Sequence, residues 1–143
     1  MSKIVNITLS GAMSGLTWEE QTKWRNQVKN AILYGGYDYE YKPVFFDPTL
    51  HYNFEDKHHK SEREVFEYDL NAIRKSDLVI VNFNDQQSIG TAMEIMLAHE
   101  LHIPVIGLNK DKVELHPWLI ECVTRMCDDM REVVEHVVGF YLN

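Results

Sequence analysis

The sequence is most informative first in what it has little of. It has no apolar run of the roughly 18 residues that a membrane-spanning helix needs. Met1-Ser2-Lys3-Ile4 does not open a secretory-signal pattern, so a cytoplasmic protein without a membrane partner is expected. Cysteine is scarce: Cys122 and Cys127 stand in a C-x4-C spacing that matches no common metal or redox motif, and reduced thiols are expected. Seven histidines are present, but no H-E-x-x-H or similar ligand spacing. The pair His58-His59 lies among Glu55, Asp56, Lys57 and Lys60 and reads as a polar loop. There is no basic run. Lys plus Arg is 14 against 22 Asp plus Glu, a net charge of −8, which argues against a nucleic acid polymer or an anionic membrane as partner. A small phosphorylated ligand held by backbone amides stays open. No G-x-G-x-x-G or Walker sequence occurs, which argues against a dinucleotide or triphosphate site. No repeat, low-complexity segment or linker divides the 143 residues, so residues 1–143 are read as one domain.

What is present is a regular alternation of short apolar runs and helical patterns. Ile4, Val5, Ile7 and Leu9 mark a first strand, followed by the small-residue loop Gly11-Ala12-Met13-Ser14-Gly15. Thr17 and Glu20 form a capping box for a helix with Trp24, Val28, Ala31 and Ile32 inward, stopped by Gly35-Gly36. Val44-Phe45-Phe46 is a second strand, and Thr49 to Lys60 a long polar and aromatic connection of the kind often used as a lid. Ser61 and Glu64 open a helix from about Glu62 to Lys75, with Val65, Phe66, Leu70 and Ile73 as its stripe. Strands at Asp77–Phe83 and Ile103–Leu108, a weak one at Val123–Met126, and a last helix from Asp128 to about Tyr141 complete the chain. The alternation predicts an α/β domain: a flavodoxin-like (Rossmann-like) three-layer sandwich around a five-stranded parallel sheet of order 2-1-3-4-5. Ligands of such sheets sit at the carboxyl ends of the strands, between strands one and three.

The central stretch runs from Ser88 to Ala98. It predicts a helix, Ser88 to about Leu101, whose first three turns are apolar or small with Glu94 as their single charge. A helix apolar all round is expected to be covered by the rest of the fold. An ionised carboxylate there is costly, so Glu94 either reaches solvent at the sheet edge or marks a site. Asp69 shares an i, i+4 row with Val65 and Ile73, so it points inward or sits at the margin of the stripe. Two carboxylates can divide the labour of breaking a glycosidic bond, and Gly90, Thr91 and Ala92 beside Glu94 leave room for a sugar ring. Ser88 is a plausible N-cap, and the amides that follow it could instead hold an anion. Tyr52 and Phe54 could stack on a base or simply pack their loop down. Asn143, at the chain end, is either frayed or reaches a neighbouring subunit.

The segments Ser10-Gly11-Ala12-Met13-Ser14-Gly15, Asp69-Leu70-Asn71-Ala72-Ile73, Ser76-Asp77-Leu78-Val79-Ile80 and Gly90-Thr91-Ala92-Met93-Glu94-Ile95 with Pro104-Val105-Ile106 resemble the nucleoside 2-deoxyribosyltransferase family. The resemblance implies that Glu94 attacks C1′ of a 2′-deoxynucleoside and that Asp69 moves a proton to and from the base. Substrate contacts are expected around Ser10, Gly11, Met13, Ser88 and Gly90, with Tyr52 and Asn143 as further candidates. The resemblance also implies no metal or organic cofactor, and a homodimer or higher homo-oligomer with shared active sites. One departure matters. Transferases acting on free nucleosides often carry Asp six residues before the nucleophile, where this chain has Ser88. Serine there is closer to the deoxynucleoside 5′-monophosphate N-glycosidases of the same superfamily. Met96 also replaces a glycine often seen two residues after the nucleophile. Transfer between bases, hydrolysis of a 5′-monophosphate and a non-enzymatic nucleotide-binding module are therefore the three readings carried forward.

Overall fold

The computed structural model describes residues 3–52 and 61–143. Phe54 and the His58-His59 pair lie outside the described residues. The elements are β1 (Ile4–Gly11), α1 (Trp18–Tyr34), β2 (Lys42–Phe46), α2 (Glu62–Arg74), β3 (Leu78–Asn82), α3 (Ile89–Glu100), β4 (Val105–Leu108), α4 (Pro117–Glu121), β5 (Arg125–Cys127) and α5 (Met130–His136). A 3₁₀ turn, Pro48–Leu50, follows β2, and α5 continues as a π-helical turn over Val137–Tyr141. All five strands are parallel, in the order β2-β1-β3-β4-β5. This is the expected three-layer α/β sandwich.

Side chains alternate across the strands, so β3, β4 and β5 feed two cores. Ile7, Leu9, Ile80 and Ile106 meet Val28 and Ile32 of α1 and Val133 and Val134 of α5. Val79, Val81 and Val105 meet Ile73 of α2 and Ile95 and Ala98 of α3. Burying one such aliphatic side chain stabilises the fold by about 2 kcal/mol. The helix starts are fixed chemically. Thr17 accepts from the Glu20 amide while the Glu20 carboxylate accepts from the Thr17 amide. Ser61 caps α2 through the Glu64 amide, and Asp129 caps α5 through the Glu132 amide.

Two expectations are corrected. Phe66 belongs to the apolar stripe of α2 in sequence but is 43% exposed, because α2 turns that edge towards a cleft rather than towards the sheet. The outer side of α3 is likewise not covered: Ile89, Met93 and Met96 are 76, 46 and 46% exposed. Only Thr91, Ile95 and Ala98 of that helix are buried. A helix with apolar residues all round shows no preference of its own for one face, so the sheet takes one side and leaves the other free.

Candidate active site

The carboxyl ends of β1 and β3 open onto a cleft of about 440 Å³, within the range of small-molecule sites. Three chain segments build it. β1 and the loop after it bring Gly11 and Met13. α2 brings Asp69, and α3 with the turn before it brings Ser88, Gly90 and Glu94. Gly11 must lack a side chain: a Cβ there would stand 2.9 Å from Trp24 Cζ2 and 3.2 Å from the Asn82 carbonyl oxygen. Around Gly90 there is open space instead, with nothing within 4 Å of where a Cβ would sit.

Glu94 and Asp69, far apart in sequence, face the same cleft. Ser10, itself buried, donates its hydroxyl to Glu94 Oε2 at 2.5 Å. Loss of water around Glu94 pushes its carboxyl up from the ordinary 4.5 to about 7; the Ser10 hydrogen bond opposes the rise, Asp69 adds to it and Arg25 opposes it. Burial lifts Asp69 to about 6, against the pull of Arg25. Asp69 Oδ1 is sealed from solvent and meets no hydrogen-bond donor among the described residues. Such an acceptor is costly as a bare anion and is relieved by holding a proton. Both acids are therefore raised toward neutrality, and each makes the other harder to ionise.

The remaining candidates divide. Ser88 caps α3, its Oγ accepting from the Thr91 amide at 3.3 Å and from the Thr91 hydroxyl at 2.9 Å. Its position is at the cleft, but its acceptor capacity already serves the helix. Tyr52 lies beside Asp69 rather than on the Glu94 cleft: burial first, then Asp69 and Tyr68, raise its phenol to about 12. Asn143 sits elsewhere. Its side-chain amide donates to the carbonyls of Val138 and Asp38, beside the segment that leads into the amino end of β2. It is not part of its own chain's cleft, because the last turn of the chain is tied to the opposite edge of the sheet.

Two features were not anticipated. Asp85, in the turn before α3, lines the cleft, its Oδ1 accepting from the Gln87 amide. Arg25 is fully buried on α1, and its positive charge reaches both acids. The signal was available: Arg25 stands in the row Gln21, Arg25, Val28, Ile32, whose members are all buried.

The model of a family described as nucleoside 2-deoxyribosyltransferase matches residues 10–139. No curated protein sequence matches the chain significantly. Among solved structures, a conserved protein from Enterococcus faecalis is 15% identical with a TM-score of 0.72, over 94% of this chain and 97% of that one. A 2-deoxyribosyltransferase from Bacillus psychrosaccharolyticus is 17% identical with a TM-score of 0.70, over 91% of this chain and 90% of that one. A CMP N-glycosidase from Clostridium botulinum is 16% identical with a TM-score of 0.59, over 92% and 97%. At these identities the structural likeness speaks for the fold.

Proposed function

This chain belongs to the nucleoside 2-deoxyribosyltransferase family, and from that premise we propose that it cleaves the N-glycosidic bond of 2′-deoxynucleosides and passes the sugar to another nucleobase. The observation that carries the reading is the shared cleft of Glu94 and Asp69, two acids that environment holds near neutral pKa values. With Oε2 engaged by Ser10, Glu94 Oε1 attacks C1′. The C1′–N bond breaks, its electron pair stays on the base nitrogen, and Asp69 supplies the proton. A deoxyribosyl ester on Glu94 remains. An acceptor base then attacks C1′, its N–H proton goes to Asp69, and the Glu94 carboxylate is released. The reactive arrangement has Glu94 ionised and Asp69 protonated.

The cleft favours a free 5′-hydroxyl over a 5′-phosphate. Among its described lining residues are four carboxylates (Glu62, Asp69, Asp85 and Glu94) and no Lys or Arg. A dianion would enter against that charge. Asp85 supplies an acidic group near the place where Ser88 departs from the nucleoside-specific pattern. We place a second copy of the chain on the exposed face of α3, where Ile89 and Met93 also line the cleft. Burial of that stripe would complete the wall of the site.

The test is incubation with deoxyinosine, or with its 5′-monophosphate, each with and without adenine. Base exchange on the nucleoside is expected, with a deoxyribosyl adduct on Glu94 by mass spectrometry. Base release from the monophosphate alone would instead assign hydrolysis. Binding without base release would leave a non-catalytic module. Sedimentation of wild type and Met93→Glu tests the second copy; a monomeric wild type refutes it.

A further inference from the structure

The buried guanidinium behind the cleft has a definite structural job. β1 pairs with β2 only as far as Thr8 opposite Phe46, whereas it pairs with β3 through Gly11 opposite Asn82. The Asn6 carbonyl accepts from Asp77 ahead of β3, and the Lys3 carbonyl accepts from Lys42 of β2. Even-numbered carbonyls of β1 thus face β3 and odd-numbered ones face β2. Leu9 and Gly11 are odd, lie past the end of β2, and have no strand to answer them. Arg25 answers both: Nε donates to the Leu9 carbonyl at 3.3 Å and Nη2 to the Gly11 carbonyl at 3.1 Å. Nη1 donates to the Gln21 carbonyl at 2.6 Å and anchors the fork to its own helix. Ser10, the donor to Glu94, is the residue between the two clamped carbonyls.

We propose that Arg25 is the positioning residue of this site: it stands in for the missing strand, fixes Ser10 against Glu94, and supplies the nearby positive charge that favours the anionic carboxylate.

The surrounding charges support the assignment. Burial lowers Arg25 to about 10, so it remains charged at neutral pH, and Asp47, Glu94 and Asp69 are the acids that hold it there. Asp47 Oδ1 stands 3.9 Å from Arg25 Nε. Lys29 donates to Asp47 Oδ2 at 2.6 Å, and Thr49 donates to Oδ1 through both its amide and its hydroxyl. The groups acting on Glu94 are Ser10 from β1, Arg25 from α1 and Asp69 from α2; Glu62 and Asp85 line the same cleft, Asp47 pairs with Arg25 and Lys29, and Tyr52 lies beside Asp69.

The inference rests on the proposed nucleophile only for its functional meaning, so the test reads Glu94 directly. The carboxyl of Glu94 is followed by carbon-13 NMR in glutamate-labelled protein, assigned with Glu94→Gln, from pH 4 to 9. Arg25→Gln raises the Glu94 midpoint by about one pH unit, a tenfold change in its ionisation constant. Arg25→Lys, which keeps the charge but loses the two-armed clamp, raises it by less than Arg25→Gln does. Asp47→Asn unmasks the guanidinium and lowers the midpoint, and it decides the matter alone if Arg25→Gln does not fold. Ser10→Ala raises the midpoint in wild type and does so less in Arg25→Gln, since the clamp is already gone. Unmoved midpoints in Arg25→Gln and Asp47→Asn, or a Ser10 effect of the same size in both backgrounds, overturn the proposal. Absence of a sugar adduct on Glu94 would refute the reaction and leave the titration result standing.

Discussion

The two edges of the sheet handle polar groups in opposite ways. At the amino edge they are paired. Asp77 Oδ2 accepts from the Asn6 amide at 2.8 Å, the hydroxyls of Thr8 and Ser76 share a hydrogen bond at 2.6 Å, and the Leu142 carbonyl accepts from the amides of both Glu40 and Tyr41. At the carboxyl edge pairing is incomplete. The buried polar atoms without a partner among the described residues are Asp69 Oδ1, Trp24 Nε1 and Gln21 Oε1, and all three belong to side chains around that edge. The buried charges, Arg25 and Asp47, stand there too. One edge satisfies its polar groups; the other leaves several unsatisfied, the pattern expected where a ligand is to be bound.

Several substitutions would break or sharpen that contrast. Glu94→Ala has the largest expected effect: base exchange falls by about a thousandfold or more, with no adduct, because binding and proton transfer remain without a nucleophile. Undiminished exchange would end the covalent mechanism. Asp69→Asn should cost about a hundredfold on deoxyinosine, in line with loss of a general acid. It should cost far less on an N7-methylated purine deoxynucleoside, whose charged base leaves without a proton; equal losses on both would assign Asp69 to binding. The wild-type rate should peak between about pH 6 and 7, falling below as both acids are protonated and above as both ionise.

Stability should move the other way at the two edges. Because the folded-state value of Glu94 is raised from 4.5 to about 7, the fold is most favoured while this group is protonated and loses stability as pH rises through that window. Glu94→Gln should therefore stabilise the protein by about 2 kcal/mol at pH 8 and flatten the pH dependence of Tm between pH 5 and 7. A lower Tm at pH 8 would refute the burial argument. At the amino edge, Asp77→Ala should cost about 1 kcal/mol, the worth of one hydrogen bond, with base exchange unchanged.

The strand order was legible because strands covered on both faces leave unbroken apolar runs, as in Leu78-Val79-Ile80-Val81, and parallel crossovers admit few topologies. Glu94 and Asp69 stood out as acids in apolar rows. Arg25 did not, since Lys23 and Lys29 on the same helix make it look like one more solvated cation. Its counter-charge, Asp47, comes from a turn 22 residues later, a meeting that only tertiary structure creates. The exposure of the outer face of α3 is not legible for a related reason. Sequence shows that an apolar residue seeks cover, but not whether the same chain provides it.

The early stop of β2 has one more consequence. Where that strand would have continued, the border of the sheet is finished by a side chain. Main-chain bonding is nearly indifferent to which residue supplies it, so a border made of backbone resists revision by point mutation. A border made of one arginine does not. If the proposed clamp holds, exchanging that one residue retunes the acidity of the reacting groups without moving a strand.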